Sequence, residues 1–274
     1  MLKVNQLAIK QYLLSKGISL SEKQVNALHK TYFKLQYFIG LLLYPSDLHR
    51  LANQYEAGKP HWYLDIYDKH FKKLRNKKLN ILEIGIGGYN TPKAGGGSLR
   101  MWQNYFPNST IHGIDIYNKE FHQDKRIKVY QGSQTDQLFL HSLVEKVGKF
   151  DIVIDDGSHI NEHVIFSFET LFSYLSPNGV YVVEDTHTSY WESFGGSADK
   201  EASTMMNYFR DFIDKINYEE FNEKNYIPSL YETCITAIHF YHSIILIQKG
   251  DNTKGSIHNG KLNSYYKVAN NNGE

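Results

Sequence analysis

Cysteine is almost absent from this chain of 274 residues, which contains one, Cys234. A single cysteine excludes an intrachain disulfide and a zinc site built from several thiolates. Small secreted domains held together by disulfides are therefore excluded as a class. We expect a reducing compartment, the cytoplasm.

Long hydrophobic runs and an excess of one charge are also absent. The longest apolar segment, residues 38–44, is far shorter than the roughly 20 residues of a membrane helix. The N-terminus mixes charged with apolar residues and lacks the hydrophobic core of a signal peptide. Thirty basic against 29 acidic side chains leave a net charge of +1, so nothing indicates nucleic acid or a membrane as a partner.

The composition is that of a folded protein, with 41% hydrophobic and 22% charged residues. Residues 1–60 have helical spacing: Ser21 and Gln24 have the spacing of a capping box, apolar residues then recur at helical intervals to Ile39, and Pro45 ends the pattern. We predict a helical extension over residues 1–60 and a main domain over 61–274.

The main domain alternates short apolar runs with amphipathic segments. The apolar runs are LNILEIGIGG, STIHGIDIYN, RIKVYQGS, FDIVIDDGS and GVYVVEDTH. Such alternation predicts a parallel sheet with helices on both faces. The last two runs, CITAIHFY and SIILIQKG, are joined too tightly for an intervening helix and predict an antiparallel hairpin. The expected fold is the α/β, doubly wound, Rossmann-like sheet of class I methyltransferases.

The turn after the first strand, EIGIGGY at residues 83–89, is rich in glycine. In open parallel sheets this turn usually approaches the cofactor. A nicotinamide dinucleotide site would prefer a third glycine where the chain has Asn90. Glu83 suits the ammonium of S-adenosylmethionine (SAM) better than a pyrophosphate. A purely structural tight turn is the alternative interpretation.

Two further residues extend this predicted cofactor site. Asp115 ends the second strand, where a carboxylate can accept hydrogen bonds from both ribose hydroxyls of an adenosine. Alone it would be read as a surface residue, but together with the glycine turn it favours cofactor binding. Ser98 opens the next helix, where capping the helix and contacting the cofactor's carboxylate are compatible roles.

Acidic residues end two strands that are neighbours in the expected order. Asp155 and Asp156 end the fourth, and Glu184 and Asp185 end the fifth. Adjacent strands are about 4.8 Å apart, so these side chains can converge. Clustered carboxylates repel one another unless a cation compensates, and oxygen ligands suit Mg²⁺. Simple solvated acids are the alternative.

His159 follows Asp156 by three residues, where a neutral imidazole could accept a proton from a substrate hydroxyl; a structural or surface histidine is the alternative. With Glu162 and His163 it also spells H-x-x-E-H, a zinc-peptidase pattern. That pattern requires both histidines on one helical face, whereas His159 directly follows a strand-ending turn. The peptidase hypothesis is therefore disfavoured.

From about His61 to Gly196 these motifs closely resemble the metal-dependent sugar O-methyltransferases of macrolide biosynthesis, the mycinamicin and macrocin type. The resemblance implies that Asp156, Glu184 and Asp185 bind magnesium and that His159 is the general base. It also implies a set of SAM contacts: Glu83, Gly85, Gly87, Gly88, Tyr89, Ser98, Asp115, Ser133 and Asp155. Ser133 departs from the pattern, because close relatives often have aspartate there.

The expected function is transfer of a methyl group from SAM to a sugar hydroxyl of a glycosylated natural product or polysaccharide, with Mg²⁺. Residues 188–230, with Tyr190, Trp191 and Phe194, are predicted to form a lid or substrate wall. A catechol-type aromatic diol is an alternative acceptor, and a SAM-binding or assembly protein without turnover is an alternative of another class. We also expect a homo-oligomer.

Overall fold

The computed structural model describes residues 11–12, 14–21, 23–28, 31, 47–221 and 225–256. The chain divides into two compact units, Met1–Asp47 and Leu48–Glu274. In the first unit, the amide of Gln24 donates to Ser21 Oγ at 3.4 Å and the amide of Ser21 donates to Gln24 Oε1 at 3.0 Å. This confirms the predicted capping box; the later part of that predicted helix lies outside the described residues.

The second unit includes residues 48–60, which the sequence analysis assigned to the helical extension. Two helices open it, α1 (Leu48–Tyr55) and α2 (His61–Phe71). The apolar side of α2 is aromatic, and its Tyr67 ring lies 5.0 Å from the ring of Trp102. These aromatic residues are fully buried, so α2 is part of the core of this unit.

A seven-stranded sheet forms the centre of the second unit, in the order β3-β2-β1-β4-β5-β7-β6. Strands β1 to β5 pair in parallel, whereas β7 is antiparallel to both β5 and β6. The predicted parallel sheet with a closing antiparallel hairpin is therefore confirmed. The strands are β1 (Asn80–Ile84), β2 (Thr110–Asp115), β3 (Ile127–Gln131), β4 (Phe150–Asp155), β5 (Leu175–Glu184), β6 (Ile235–Tyr241) and β7 (Ile244–Lys249).

Helices cover both faces of the sheet. They are α3 (Gly97–Tyr105), α4 (Gln137–Val147), α5 (Asn161–Leu171), α6 (Met205–Arg210), α7 (Phe212–Lys215) and α8 (Leu230–Cys234). Successive strand residues face opposite sides. Leu82 and Ile84 of β1 belong to one core with residues of α4 to α7, whereas Glu83 between them contacts α3. Different helices therefore cover the two faces of the sheet, and α2 and α3 lie on the face toward which Glu83 points.

The segment predicted as a lid is partly core. Phe209 and Phe212 are fully buried, with ring centroids 5.0 and 5.8 Å from that of Phe168 in α5. Tyr190 and Trp191, by contrast, remain 54% and 51% exposed. A lid role for the exposed part stays a prediction. Among the described residues, no helix combines the length and apolar character needed to cross a membrane.

Candidate active site

A cavity of about 690 Å³ opens at the carboxyl ends of the central parallel strands. Its wall includes the glycine turn after β1, Asp115 after β2 and the loop from Asp156 to His159 after β4. Ligands of open α/β sheets bind at this edge, where the strand order changes direction. Of the predicted cofactor residues, those that line it are Gly85, Gly87, Gly88, Tyr89, Ser98 and Asp115.

The glycine turn is shaped by conformation and by close packing. Gly85 and Gly87 have φ of +89° and +76°, a region that favours glycine. A Cβ atom on Gly85 would lie 2.1 Å from the carbonyl oxygen of Asp156. The nearest atom to a Cβ on Gly87 would be 3.9 Å away, the Cα of Gly95. Gly85 is thus required by space as well as conformation, because it lets the end of β1 contact the end of β4.

Asp115 is fixed by the backbone on both of its oxygens. Its Oδ2 accepts from the amide of Ile86 at 3.0 Å, and its Oδ1 accepts from the amide of Tyr117 at 2.9 Å. Each carboxylate oxygen retains a lone pair for a further donor. Asp115 is therefore held in a defined orientation at the cavity wall, as a ribose-binding carboxylate needs to be.

A buried lysine, Lys119, holds the far side of the glycine loop. Its ammonium donates to the carbonyls of Thr91 at 2.9 Å and Ala94 at 3.2 Å, and the side chain is fully buried. His122 Nε2 lies 3.2 Å from the same Ala94 oxygen. The segment after β2 therefore anchors the loop after β1, and the sequence analysis did not identify this contact.

Glu83 points toward α3. Ser98 Oγ donates to its Oε2 at 2.8 Å and Trp102 Nε1 to its Oε1 at 3.3 Å. Glu83 is fully buried, and burial raises its pKa because the charged form loses hydration. Glu83 is not among the residues that line the cavity, whereas its partner Ser98 is. Helix α3 begins after Gly96, so Ser98 lies in its first turn and is not the N-cap. A direct cofactor contact at Glu83 stays a prediction.

Asp155 also points into the protein. Its oxygens accept from Ser167 Oγ, from Gln134 Nε2 at 3.2 and 3.3 Å, and from Tyr181 OH at 3.3 Å. Burial raises the pKa of Asp155 to about 6. The side chain that lines the cavity here is Gln134, whose Oε1 accepts from the amide of Ser158 at 2.8 Å. Asp155 thus positions the wall through Gln134, and its predicted cofactor contact is untested.

Ser133 is oriented away from these contacts, with its Oγ 2.9 Å from Thr135 Oγ1. It also accepts from the amide of Thr135 at 3.2 Å. Its neighbours Gly132 and Gln134 line the cavity. The predicted adenosine contact of Ser133 therefore stays a prediction, and Gln134 is the polar residue of this loop that reaches the wall.

Three side chains meet at the edge of the cavity: Asp156, His159 and Asp185. One ligand atom from each lies within 4.8 Å of the others. His159 Nε2 is 4.0 Å from Asp156 Oδ1 and 3.7 Å from Asp185 Oδ2. His159 and Asp185 have φ of +57° and +55°, which costs a non-glycine residue roughly 1–3 kcal/mol and is typical of functional sites. The predicted convergence of the β4 and β5 ends is thus present in the structure.

His159 precedes α5, which begins at Asn161, so His159 and His163 do not share a helical face. His163 Nδ1 lies 2.9 Å from Ser158 Oγ. Glu162 occupies the first turn of α5, where a negative charge favours the helix N-terminus. The zincin geometry that H-x-x-E-H would require is absent from these residues.

Glu184, the third predicted metal ligand, is buried beside the trio. Its Oε1 is 2.7 Å from the ammonium of Lys59 and accepts a hydrogen bond from Tyr67 OH. Burial, and then the charge of Asp156, raises the pKa of Glu184. Lys59 and Tyr67 come from the segment around α2, which the sequence patterns did not connect with the site.

Lys59 is surrounded by three carboxylates and is 2% exposed. Its Nζ is 2.6 Å from Asp156 Oδ2 and 3.1 Å from Glu83 Oε1, in addition to the contact with Glu184. Burial lowers the pKa of a lysine, but here the carboxylates outweigh burial and hold the pKa of Lys59 well above 10.5. Lys59 therefore carries a positive charge inside the cluster.

Tyr63 contacts Asp185 from the other side. Its hydroxyl lies 2.9 Å from Asp185 Oδ1 and 2.6 Å from the carbonyl oxygen of Ser243, and it accepts from the amide of Asp185 at 3.2 Å. Burial and the charge of Asp185 raise the pKa of Tyr63. Tyr63 thus fixes both the backbone and the side chain of Asp185.

The residues at this edge fit a divalent cation. The ammonium of Lys59 pairs with three carboxyl groups, from Glu83, Asp156 and Glu184, and a fourth, Asp185, is held by Tyr63, so acidic groups outnumber the buried cation. Asp156 Oδ1 and Asp185 Oδ2 are the oxygens that point toward His159. Carboxylate oxygens are the ligands that Mg²⁺ prefers, with water or substrate oxygens in the other positions.

Comparisons with known proteins agree with this geometry. No family model matches the chain. It is 43% identical over 217 residues to mycinamicin VI 2''-O-methyltransferase of Micromonospora griseorubida, covering 77% of this chain and 54% of the relative. It is 42% identical over 217 residues to demethylmacrocin O-methyltransferase of Streptomyces fradiae, covering 77% and 55%. The chain thus spans about half the length of these curated relatives.

Comparison with solved structures indicates the same kind of enzyme as a relative. The MycE methyltransferase from the mycinamycin biosynthetic pathway, in complex with Mg and SAH, is 41% identical and has a TM-score of 0.76, covering 82% of this chain and 59% of that one. Its complex with Mg, SAH and mycinamycin VI has a TM-score of 0.75. Sequence identity and fold together assign the chain to the sugar O-methyltransferases of the mycinamicin and macrocin type.

Proposed function

We propose that this protein transfers a methyl group from SAM to a hydroxyl of a sugar in a glycosylated natural product, with the help of Mg²⁺. The observation that carries the proposal is the convergence of Asp156, His159 and Asp185 within 4.8 Å at the edge of the glycine-lined cavity. The similarity to mycinamicin VI 2''-O-methyltransferase and demethylmacrocin O-methyltransferase supports this acceptor class.

In the proposed site Asp156 and Asp185 hold the ion, and Glu184 is the third predicted ligand. When bound, Mg²⁺ would supply positive charge that stabilises the negative charge developing on an acceptor oxygen. His159 Nε2, 3.7 Å from Asp185 Oδ2, accepts the hydroxyl proton. Its placement is set by the β4 turn and by Thr188 Oγ1, which is 2.8 Å from the His159 carbonyl oxygen.

The cavity binds the methyl donor. Gly85 and Gly87 allow the backbone of the glycine turn to approach the methyl donor closely, and Asp115 accepts hydrogen bonds from the ribose hydroxyls. SAM carries the methyl group on a sulfonium, so transfer requires the acceptor oxygen, methyl carbon and sulfur in line. Holding these groups in place removes much of the entropic barrier. The cavity and the acid cluster are adjacent because Asp156 and His159 belong to both.

The direct test is incubation of the protein with methyl-labelled SAM, Mg²⁺ and a panel of glycosides and simple aromatic diols. The proposal expects a gain of one methyl group on a glycoside, located on a sugar oxygen by NMR, and loss of turnover in EDTA. Methylation confined to aromatic diols would support the catechol alternative. SAM binding without any product would support a protein without turnover.

We also propose that the protein forms a homo-oligomer and is located in the cytoplasm.

A further inference from the structure

Lys59 is the feature of the site that the proposed function does not use. It lies outside the cavity lining, yet its ammonium is within 3.1 Å of carboxylates from the ends of β1, β4 and β5. A buried lysine is tolerated only where its charge is paired. The chain therefore keeps an internal cation where three strand ends meet.

The contacts of Lys59 divide the oxygens of Asp156 between two tasks. Oδ2 accepts from Lys59 at 2.6 Å, which leaves Oδ1 facing His159 at 4.0 Å. Glu184 is held in a similar way, because its Oε1 contacts both Lys59 and Tyr67. Lys59 thus fixes one oxygen on each of two predicted metal ligands, and on Asp156 it leaves the other oxygen facing His159.

We propose that Lys59 is a positioning residue of the metal site, which orients Asp156 and Glu184 so that their remaining oxygens face the ion. This inference rests on the proposed function, because it presumes that a divalent cation binds there. Partners that orient metal ligands typically change metal affinity 10- to 100-fold when they are removed.

The sign of the effect separates positioning from simple electrostatics. A positive charge beside a cation site repels the cation, so removing it without other consequences would tighten metal binding. If Lys59 orients the carboxylates, its removal weakens metal binding despite the lost repulsion. The two explanations therefore predict opposite changes in the metal dissociation constant.

The test compares K59M with K69M, a change at an exposed lysine of the neighbouring helix α2. Mn²⁺ affinity is measured by electron paramagnetic resonance on the purified protein, and S-adenosylhomocysteine affinity by calorimetry. We expect the Mn²⁺ dissociation constant of K59M to rise roughly 10- to 100-fold, while K69M resembles wild type. The S-adenosylhomocysteine affinity of K59M should fall less than its Mn²⁺ affinity, because Lys59 does not line the cavity and reaches the predicted cofactor contact only through Glu83.

Unchanged or tighter Mn²⁺ binding in K59M would overturn the inference, as would equal losses of Mn²⁺ and S-adenosylhomocysteine binding, which indicate a general structural role. If K59M does not fold, K59Q replaces it under the same criteria. Failure of wild type to bind Mn²⁺ would refute the proposed metal site together with this role. Mn²⁺ binding by wild type with no loss in K59M refutes only the role of Lys59.

Discussion

The close packing of Gly85 against Asp156 makes it possible to displace the predicted metal ligand Asp156 by a substitution in the glycine turn. In G85A, the new Cβ would lie 2.1 Å from the Asp156 carbonyl oxygen. Ordinary non-bonded contacts are about 3.5 Å, so the ends of β1 and β4 must separate by more than about 1 Å. A displacement of that size costs on the order of 100-fold in rate. We also expect weaker Mn²⁺ binding, because Asp156 moves.

The matched control is G87A. Gly87 also has positive φ, +76°, so the backbone conformation alone costs about 1–2 kcal/mol of folding free energy for alanine at either position, and only G85A adds the steric clash. A Cβ on Gly87 meets no atom closer than 3.9 Å. The assay is a Mn²⁺ titration without SAM, together with thermal unfolding of both variants. G85A should lose metal affinity and G87A should not. Equal metal affinities in the two variants would refute the steric argument.

Three other substitutions test separate parts of the site. H159N should lower turnover by about 10²–10⁴-fold at unchanged Mn²⁺ affinity, because a general base takes the hydroxyl proton and does not bind the ion. A tenfold loss of Mn²⁺ affinity would instead identify His159 as a metal ligand. K119M should weaken S-adenosylhomocysteine binding about tenfold in calorimetry, because two carbonyl oxygens of the glycine loop lose a charged donor. K125M, at an exposed lysine, should leave this affinity unchanged. Equal affinities in K119M and K125M would contradict the anchoring role of Lys119. The pKa of Asp155 is raised from 3.8 to about 6, so between these values the folded state binds more protons than the unfolded state. The contribution of Asp155 to the free energy of unfolding therefore falls by about 2 kcal/mol as pH rises from 4 to 6. D155N should flatten this slope in urea titrations, E145Q at an exposed residue should keep it, and equal slopes would refute the assignment.

The sheet was predictable because each strand is a local pattern. The five parallel strands and the hairpin are continuous apolar runs bounded by glycine or acidic residues, and their order follows from the fold they resemble. The placement of Asp156 beside Asp185 follows in turn, since both follow neighbouring parallel strands. The pattern of apolar runs and the spacing of parallel strands are therefore enough to predict that these two carboxylates lie close together.

The supports of the site were not predictable from local patterns. Lys59 pairs with Asp156 across 97 positions of sequence, and Tyr67 with Glu184 across 117. Nothing near Lys59 distinguishes it from an exposed lysine. Lys59 lies between α1 and α2, and its burial is decided by tertiary packing of a segment, residues 48–60, that was predicted to belong to a separate extension.

The orientation of paired acids was equally hidden from the sequence. In the D-D pair at the end of β4, alternation along the strand turns Asp155 into the core and leaves Asp156 at the edge. Four protein donors hold Asp155, and they come from α5, from β5 and from the loops after β3 and β4. The sequence identifies which residues end the strand, but only tertiary packing decides which carboxylate faces the cavity.

The central claim is that a divalent cation binds between Asp156 and Asp185 beside the methyl donor. The most direct measurement is anomalous diffraction from crystals grown with Mn²⁺ and S-adenosylhomocysteine. We expect an anomalous peak about 2.0–2.3 Å from a carboxylate oxygen of each aspartate, with S-adenosylhomocysteine in the cavity lined by Gly85 and Asp115. A peak elsewhere, or S-adenosylhomocysteine bound without any ion at this edge of the sheet, would contradict it.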